Sequence, residues 1–118
     1  MDEEFIDLLC ETIRFQKSVK KLWESRISID GIKNRKMDIA NNRLTKKIEK
    51  LCDRLHVEII DKEYENTEYD VGIPVDPLNL DDFDKNEKLY IGTMLEPIIK
   101  EKGTANIIKN GKAVLVAK

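Results

Sequence analysis

The sequence contains few of the residues from which catalytic and metal sites are built. It has one histidine and two cysteines. A site with two histidine ligands is therefore excluded, and a Ser/His or Cys/His pair would depend on His56 alone. Cys10 and Cys52 lack the close spacing of a zinc or redox motif, so we expect reduced, half-buried thiols. We predict no enzyme activity, no cofactor and no metal site.

Glycine, proline and aromatic residues are scarce as well. There are five glycines and three prolines, and aromatic residues make up 6% of the chain. No glycine stands in a GxxxxGK[S/T] or GxGxxG stretch, so no phosphate-binding loop is predicted. No apolar run approaches the ~18 residues of a membrane span, and the opening residues MDEEF are acidic where a signal peptide is basic. We therefore expect a cytoplasmic protein that does not enter a membrane.

Charges of both signs are abundant but unevenly distributed. Residues 57–88 contain 11 acidic and 3 basic residues, whereas residues 1–56 contain 10 and 13, and residues 89–118 contain 2 and 5. A nucleic-acid-binding domain concentrates Lys and Arg on one face or arm, and this chain does not. Acidic residues interrupt its basic groups, which is typical of a solvated helix face. We expect protein partners and no nucleic acid.

The first 56 residues have helical periodicity. Between residues 2 and 27, seam residues recur at alternating steps of three and four, the pattern of a heptad seam on an amphipathic helix. Such a seam needs a partner helix, because an isolated amphipathic helix gains little from propensity. The residues of this first seam are Phe5, Leu8, Thr12, Phe15, Val19 and Leu22, and Leu9, Ile13 and Trp23 widen it.

A second seam follows, one position out of phase with the first. Ser28, Asp30 and Gly31 favour caps and turns, so the helix either breaks at 28–34 or continues through a discontinuity. A break gives an antiparallel helical hairpin, whereas a continuous rod must form a coiled-coil dimer to cover its seam. The second seam, which we expect to mediate dimerisation, consists of Met37, Asn41, Leu44, Ile48, Leu51 and Leu55.

From Val57 onward the pattern changes to an acidic segment and then to strands. We interpret residues 57–87 as an acidic linker, whose aspartates lack the spacing of an EF-hand calcium loop. Residues 88–118 contain short apolar runs, with a turn around Gly103 and an Asn110-Gly111 pair that predicts a type I′ hairpin. The predicted fold class is α+β, with an amphipathic helix, helical hairpin or coiled coil over 1–56 and a small antiparallel β module over 88–118.

Several motifs follow one another in the second half of the chain. Gly72 and the pair Phe83-Asp84 lie within the acidic stretch, the strand LYIGTMLEPII follows it, and the chain closes with GTANIIKNGKAVLVAK (103–118). This order resembles GrpE, the nucleotide exchange factor of DnaK-type heat-shock chaperones. Lys85 stands where the family has a proline, and the family's following histidine is absent. The specific similarity is confined to residues 72–118.

The resemblance implies a homodimer of helices and a β wing that inserts against the nucleotide-binding domain of the chaperone, opening its cleft so that ADP leaves. It implies no cofactor and no bond chemistry. The wing residues expected to face the chaperone are Met94, Leu95, Glu96, Pro97, Ile98, Ile107 and Lys109. Strand alternation favours a core position for Leu95, Ile98 and Ile107. A proline on an edge strand leaves a face free, so Pro97, Met94 and Glu96 are the stronger candidates.

Two other functions are compatible with the same residues. One is a non-catalytic adaptor that dimerises through its helices and docks partners with its β module. The other is half of a lipoyl or biotinyl domain, because the final strands have a similar glycine spacing. The second reading lacks a carrier lysine, since no Asp-Lys-Ala or Met-Lys-Met tripeptide occurs at a hairpin tip.

Overall fold

A computed structural model describes residues 3–30 and 35–117, with side chains described for 3–24 and 36–117. The helices α1 (Glu3–Asp30) and α2 (Arg35–Leu55) precede the strands. The predicted α+β class is confirmed. Within the described residues, no helix is both long enough and apolar enough to cross a lipid bilayer. The strands are β1 (Val57–Ile60), β2 (Val75–Pro77), β3 (Leu89–Glu96), β4 (Ile98–Glu101), β5 (Ile107–Lys109) and β6 (Gly111–Ala117).

The chain divides into two compact units, a helical unit (Met1–Leu55) and a β unit (His56–Lys118). His56, directly after α2, has a φ of 55°. A residue in this left-handed conformation is a common way to end a helix, because it turns the backbone away from the helical path. The backbone oxygen of His56 accepts a hydrogen bond from Lys102 N at 2.8 Å, so this residue already belongs to the β unit.

The two helices of the helical unit form an antiparallel hairpin. The side-chain amide of Gln16 donates to Asn41 Oδ1 and to Thr45 Oγ1, both at 2.8 Å. Residues 5–12 of α1 share a groove with residues 44–51 of α2, whereas residues 19–24 share a small cavity with residues 37–41. Of the two architectures that the sequence leaves open, the structure has the hairpin. The predicted break covers the end of α1, and its residues 31–34 lie outside the described residues.

The buried face of α1 contains Leu9 and Ile13, which widen the predicted first seam, but none of the six residues that define the seam. Leu8, Phe15 and Leu22 of that seam are exposed. In the second seam, Ile48 is buried and the other five residues are half-buried. Over residues 3–24, whose side chains are described, helix α1 therefore has two apolar faces, one buried and the other exposed. The buried side chains of α1 are Ile6, Leu9, Cys10 and Ile13.

The β unit contains two three-stranded sheets. The first has the order β1-β4-β5 and is antiparallel throughout. The second has the order β2-β6-β3, in which β6 pairs antiparallel with β3 and parallel with β2. The parallel pair departs from the predicted all-antiparallel module. The parallel pair is possible because the connection between β2 and β6 is long. It contains β3, β4 and β5, and it returns the chain so that β6 lies alongside β2.

One apolar cluster forms the core of the β unit. Ile98 of β4, in the first sheet, packs in this cluster with residues of the second sheet. Phe83 and Tyr64, from the segments between strands, pack against it and are partly buried. The buried residues of this core are Val75, Leu89, Ile91, Met94, Ile98, Ala113 and Leu115.

The residues predicted as a linker are part of the β unit. Residues 57–87 contribute β1 to one sheet and β2 to the other, and two 3-10 turns, Lys62–Tyr64 and Leu80–Asp82. Thr67 and Tyr69 exchange backbone hydrogen bonds with Ile91 and Leu89 of β3. The β unit therefore begins at His56 rather than at residue 88. Strands of four and three residues are too short to show alternation, which is why composition alone indicates a linker here.

The predicted hairpin at Asn110-Gly111 is wrong. A type I′ turn requires positive φ at both residues, and the positive-φ residues of the described chain are His56, Asn66 and Gly103. Strands β5 and β6 belong to different sheets, so Asn110 is a crossing point between them. The turn predicted around Gly103 does join a hairpin, β4-β5, and Gly103 has a φ of 76°.

Candidate functional site

The three strongest interface candidates from the sequence are not exposed at the protein surface. Met94, Glu96 and Pro97 are buried, and Met94 packs in the core of the β unit. The carboxylate of Glu96 pairs with Lys112 Nζ at 3.3 Å across β3 and β6. In this conformation none of these side chains can contact a partner protein, so we do not retain them as docking residues.

Two irregularities in β3 explain this outcome. The register with β6 shifts between Ile91 and Thr93 and again between Met94 and Glu96. A bulge adds one residue to a strand, so the side chains beyond it change faces relative to simple alternation. Ile91 and Met94 therefore both point into the core, although they are three residues apart. Pro97 lies between β3 and β4, where the chain passes from one sheet to the other.

The remaining predicted residues are divided between core and surface. Ile98 is buried, as strand alternation predicts. Leu95 is half-buried, and so are Ile107 and Lys109 of β5, which lies at the edge of the first sheet. Ile107 packs against the core, which leaves part of β5 for contacts with a partner.

The second sheet has an apolar side that faces away from the core. In β6, Ala113 and Leu115 are buried in the core, so the alternate residues Val114 and Val116 lie on the opposite side. Tyr90 of β3 pairs with Val116 and lies on the same side. We define the outer face as the surface of this sheet formed by Leu78, Tyr90, Gly92, Val114 and Val116.

Gly92 shapes the outer face. A Cβ atom on Gly92 would lie 2.8 Å from Val116 Cγ1 and 3.2 Å from the backbone oxygen of Val114. The first separation is too short for two non-bonded carbon atoms, and the second is a tight contact between carbon and oxygen. The absence of a side chain at Gly92 thus lets Val116 lean across β3.

Acidic residues border the outer face along the β2 edge. Asp76 of β2 is exposed and pairs in register with Lys112 of β6. Asp81 and Asp82 are exposed in the following 3-10 turn. The amide of Asn79 holds this segment against β6 by two hydrogen bonds with the backbone of Leu115. An apolar centre with a charged border is the usual composition of a protein-protein docking surface.

No protein-family model, curated protein or solved structure matches this chain.

Both thiols of the chain are buried. Burial raises the pKa of the Cys52 thiol, and the neighbouring carboxylates of Asp53 and Glu49 raise it further. A thiol of this kind is a poor nucleophile at neutral pH. Cys10 is also buried, and neither cysteine forms a disulfide. In the part of the chain that the structure describes, no group of three His, Cys, Asp or Glu side chains is arranged to hold a metal ion.

The sequence contains a signal for the outer face that the prediction did not use. Residues 113–117 of β6 read AVLVA, so both sides of this strand are apolar. A half-exposed strand normally alternates apolar and polar residues. Two apolar sides therefore indicate that the second side is also covered, either within the chain or by a partner.

Proposed function

We propose that this protein is a co-chaperone nucleotide exchange factor, which binds a DnaK-type chaperone through its β unit and promotes the release of ADP. The observation that carries the proposal is a small two-sheet β unit that follows a helical hairpin and has an apolar outer face. The residues of the GrpE resemblance lie in the same unit, with Phe83 packed against its core and the closing segment forming β5 and β6. On this proposal the protein works in the cytoplasm and is not an enzyme.

The proposed mechanism is a linked equilibrium. The chaperone exists in a closed, nucleotide-holding form and an open form that releases ADP. A protein that binds the open form more tightly shifts the population toward it, and the ratio of the two affinities limits the acceleration. The outer face and the accessible part of β5, including Lys109, would supply these contacts, whereas Ile107 packs against the core.

The test is stopped-flow release of a fluorescent ADP analogue from a DnaK-type chaperone of the same source. The wild-type protein is expected to accelerate release in a saturable manner. Val116→Glu is expected to raise the half-saturating concentration by about tenfold or more, since truncated or charged interface centres commonly cost over 1.4 kcal/mol. Val71→Glu is the matched control, because Val71 is also exposed but lies outside the outer face; it should behave as wild type.

A second candidate function remains compatible with the helical hairpin and the outer face. A non-catalytic adaptor would bind a partner through the same surface without changing ADP release. If the wild-type protein gives no acceleration at high micromolar concentration, while a known exchange factor accelerates release from the same chaperone preparation, the exchange-factor proposal fails. The adaptor then becomes the preferred function.

A further inference from the structure

One Asn-Gly pair occurs in the sequence, Asn110-Gly111, and it lies where the chain crosses from β5 to β6. The side chain of Asn110 is exposed. In such a pair the backbone nitrogen of the glycine is able to attack the side-chain carbonyl carbon of the asparagine, because glycine has no Cβ to hinder the approach. The pair is therefore a candidate for deamidation, the loss of the asparagine amide group as ammonia.

Both groups that would react are held by the segment that leads into β2. Gly111 N donates a hydrogen bond to the backbone oxygen of Pro74 at 3.0 Å. The Nδ2 of Asn110, which would be lost, donates to Asp76 Oδ1 at 3.1 Å. Ring closure requires Gly111 N to give up its hydrogen and to approach Asn110 Cγ, so neither hydrogen bond survives it. The reaction therefore cannot proceed until residues 74–76 move away from the pair.

Strand β2 has the properties of an element that opens locally. It has three residues and lies at the edge of the second sheet. The contact between Asp76 and Asn110 lies on the exposed surface. Short edge elements with exposed hydrogen bonds open at a much lower free energy than that of global unfolding. Val75 of the same strand is buried in the core, however, so the closed state is the populated one.

We propose that Asn110 is a deamidation site whose reaction is controlled by the opening of β2. In the open state Gly111 N bonds to Asn110 Cγ and the bond from Cγ to Nδ2 breaks. The displaced hydrogen of Gly111 N leaves with Nδ2 as ammonia, and a five-membered imide remains. Water then opens the imide at one of its two bonds from nitrogen to carbonyl carbon. The product is either an aspartyl residue or an isoaspartyl residue, in which the backbone is longer by one methylene group.

Neither product fits the closed state of β2. A carboxylate at position 110 loses the hydrogen bond to Asp76 and places two like charges side by side, which is unfavourable. The isoaspartyl product adds a backbone carbon directly before Gly111. There is little room at this point, since a Cβ on Gly111 would lie 2.7 Å from Met94 Cε and 2.9 Å from the backbone oxygen of Glu96. The reaction is therefore a one-way change that leaves β2 open more often.

The change affects the outer face, because Leu78 of that surface follows β2 directly and its backbone nitrogen donates to Ala113 of β6. A β2 that opens more often leaves this side of the outer face incomplete, so deamidation of Asn110 would limit the lifetime of the surface. The modification itself is detected by mass and does not depend on exchange activity. The failure of either proposal can thus be recognised separately.

The first test compares the full chain folded in mildly alkaline buffer with the same chain unfolded in urea. Peptide mapping by mass spectrometry measures the gain in mass when NH₂ is replaced by OH at Asn110. The folded chain is expected to react about 10- to 1,000-fold more slowly than the unfolded chain, in proportion to the population of the open state. Equal rates, or a folded chain that reacts more slowly still, overturn the proposal.

The second test removes one of the bonds that hold the pair. Asp76→Ala is expected to raise the rate in the folded chain roughly 3–10-fold, because it weakens the closed state by one hydrogen bond, and to leave the rate in urea unchanged. Asp81→Ala is the matched control, since Asp81 is also an exposed carboxylate but does not bond to Asn110. An unchanged rate in folded Asp76→Ala would show that β2 does not control the reaction.

The third test asks whether the product opens β2. Hydrogen exchange of the Gly111 amide reports on its bond to Pro74, and Asn110→Asp should accelerate this exchange several-fold. The double variant Asp76→Asn, Asn110→Asp restores a donor and an acceptor and should return the exchange toward wild type. Asn106→Asp, the same change beside Glu101 in another loop, is the control. If Asn110→Asp leaves the exchange unchanged, the proposed one-way change is refuted.

Discussion

The side chain of Asn79 takes the place of a neighbouring strand for the second part of β6. Its side-chain Nδ2 donates to the backbone oxygen of Leu115 at 3.0 Å, and its Oδ1 accepts from Leu115 N at 2.8 Å. Strand β2 ends at Pro77, so without Asn79 these two backbone groups would lose their partners. A side-chain amide can replace a strand in this way because it carries a donor and an acceptor side by side.

We expect Asn79→Ala to lower the free energy of unfolding by about 2 kcal/mol, because it leaves a part-buried donor and acceptor unsatisfied. Urea denaturation followed by a signal from the β unit measures this change. Asn106→Ala is the control, since Asn106 donates to Glu101 on an exposed surface and should change stability by less than about 0.5 kcal/mol. Equal effects of the two substitutions would contradict the role assigned to Asn79.

Gly111 and Gly72 make a matched pair of glycines with opposite surroundings. A Cβ on Gly111 would lie 2.7 Å from Met94 Cε, 2.9 Å from the backbone oxygen of Glu96 and 3.1 Å from Ile98 Cγ1. We expect Gly111→Ala to destabilise the protein by roughly 1–3 kcal/mol through overpacking. Gly72 has no atom within 4 Å of such a Cβ, so Gly72→Ala should be neutral or slightly stabilising. The denaturation midpoints of the Gly111→Ala and Gly72→Ala variants measure these effects. A smaller loss of stability than expected in Gly111→Ala would show that the core around Gly111 can adjust to the added methyl group.

At the scale of elements, helices could be predicted from the sequence and short strands could not. Periodicity over twenty or more residues locates α1 and α2, because many positions contribute to the pattern. The three residues of β2 carry no such pattern, and their role depends on β6, which follows 33 residues later. The register of β3 against β6 could not be predicted from the sequence either, because no residue pattern indicates the bulges that bury Met94 and Glu96. The error in the predicted docking residues therefore became evident only in the structure.

The contact of Gln16 with Asn41 and Thr45 sets the relative height of the two helices. Gln16→Ala removes the donor and leaves a part-buried acceptor, so we expect a loss of about 1–2 kcal/mol in the free energy of unfolding. The double variant Gln16→Leu, Asn41→Leu removes both polar groups and should recover most of this loss. Circular dichroism at 222 nm during urea denaturation measures both. Ser18→Ala, an exposed change on the same helix, is the control. If the double variant loses as much stability as Gln16→Ala or more, the expected coupling between Gln16 and Asn41 is refuted.

At the scale of the whole molecule, the sequence predicts the succession of a helical part and a β part because their periodicities differ. It does not predict which surfaces stay open, because exposure depends on how elements cover one another. Leu8, Phe15 and Leu22 match a helix seam in the sequence, and only the structure shows that α2 leaves them uncovered. The outer face similarly results from Val114 and Val116 lying opposite the core.

Strand β6 has a consequence for the order of folding during synthesis. It lies between β2 and β3, which do not pair with each other, although both leave the ribosome before it. Until β6 emerges, β2 has no neighbouring strand and β3 is bonded only to residues 66–69, so the second sheet cannot form around Val75, Leu89 and Ile91. Nascent chains that stall before Gly111 would thus present unpaired strand edges, the kind of surface that leads to aggregation. The second sheet should assemble in a single late step, with residues far apart in the chain meeting at once.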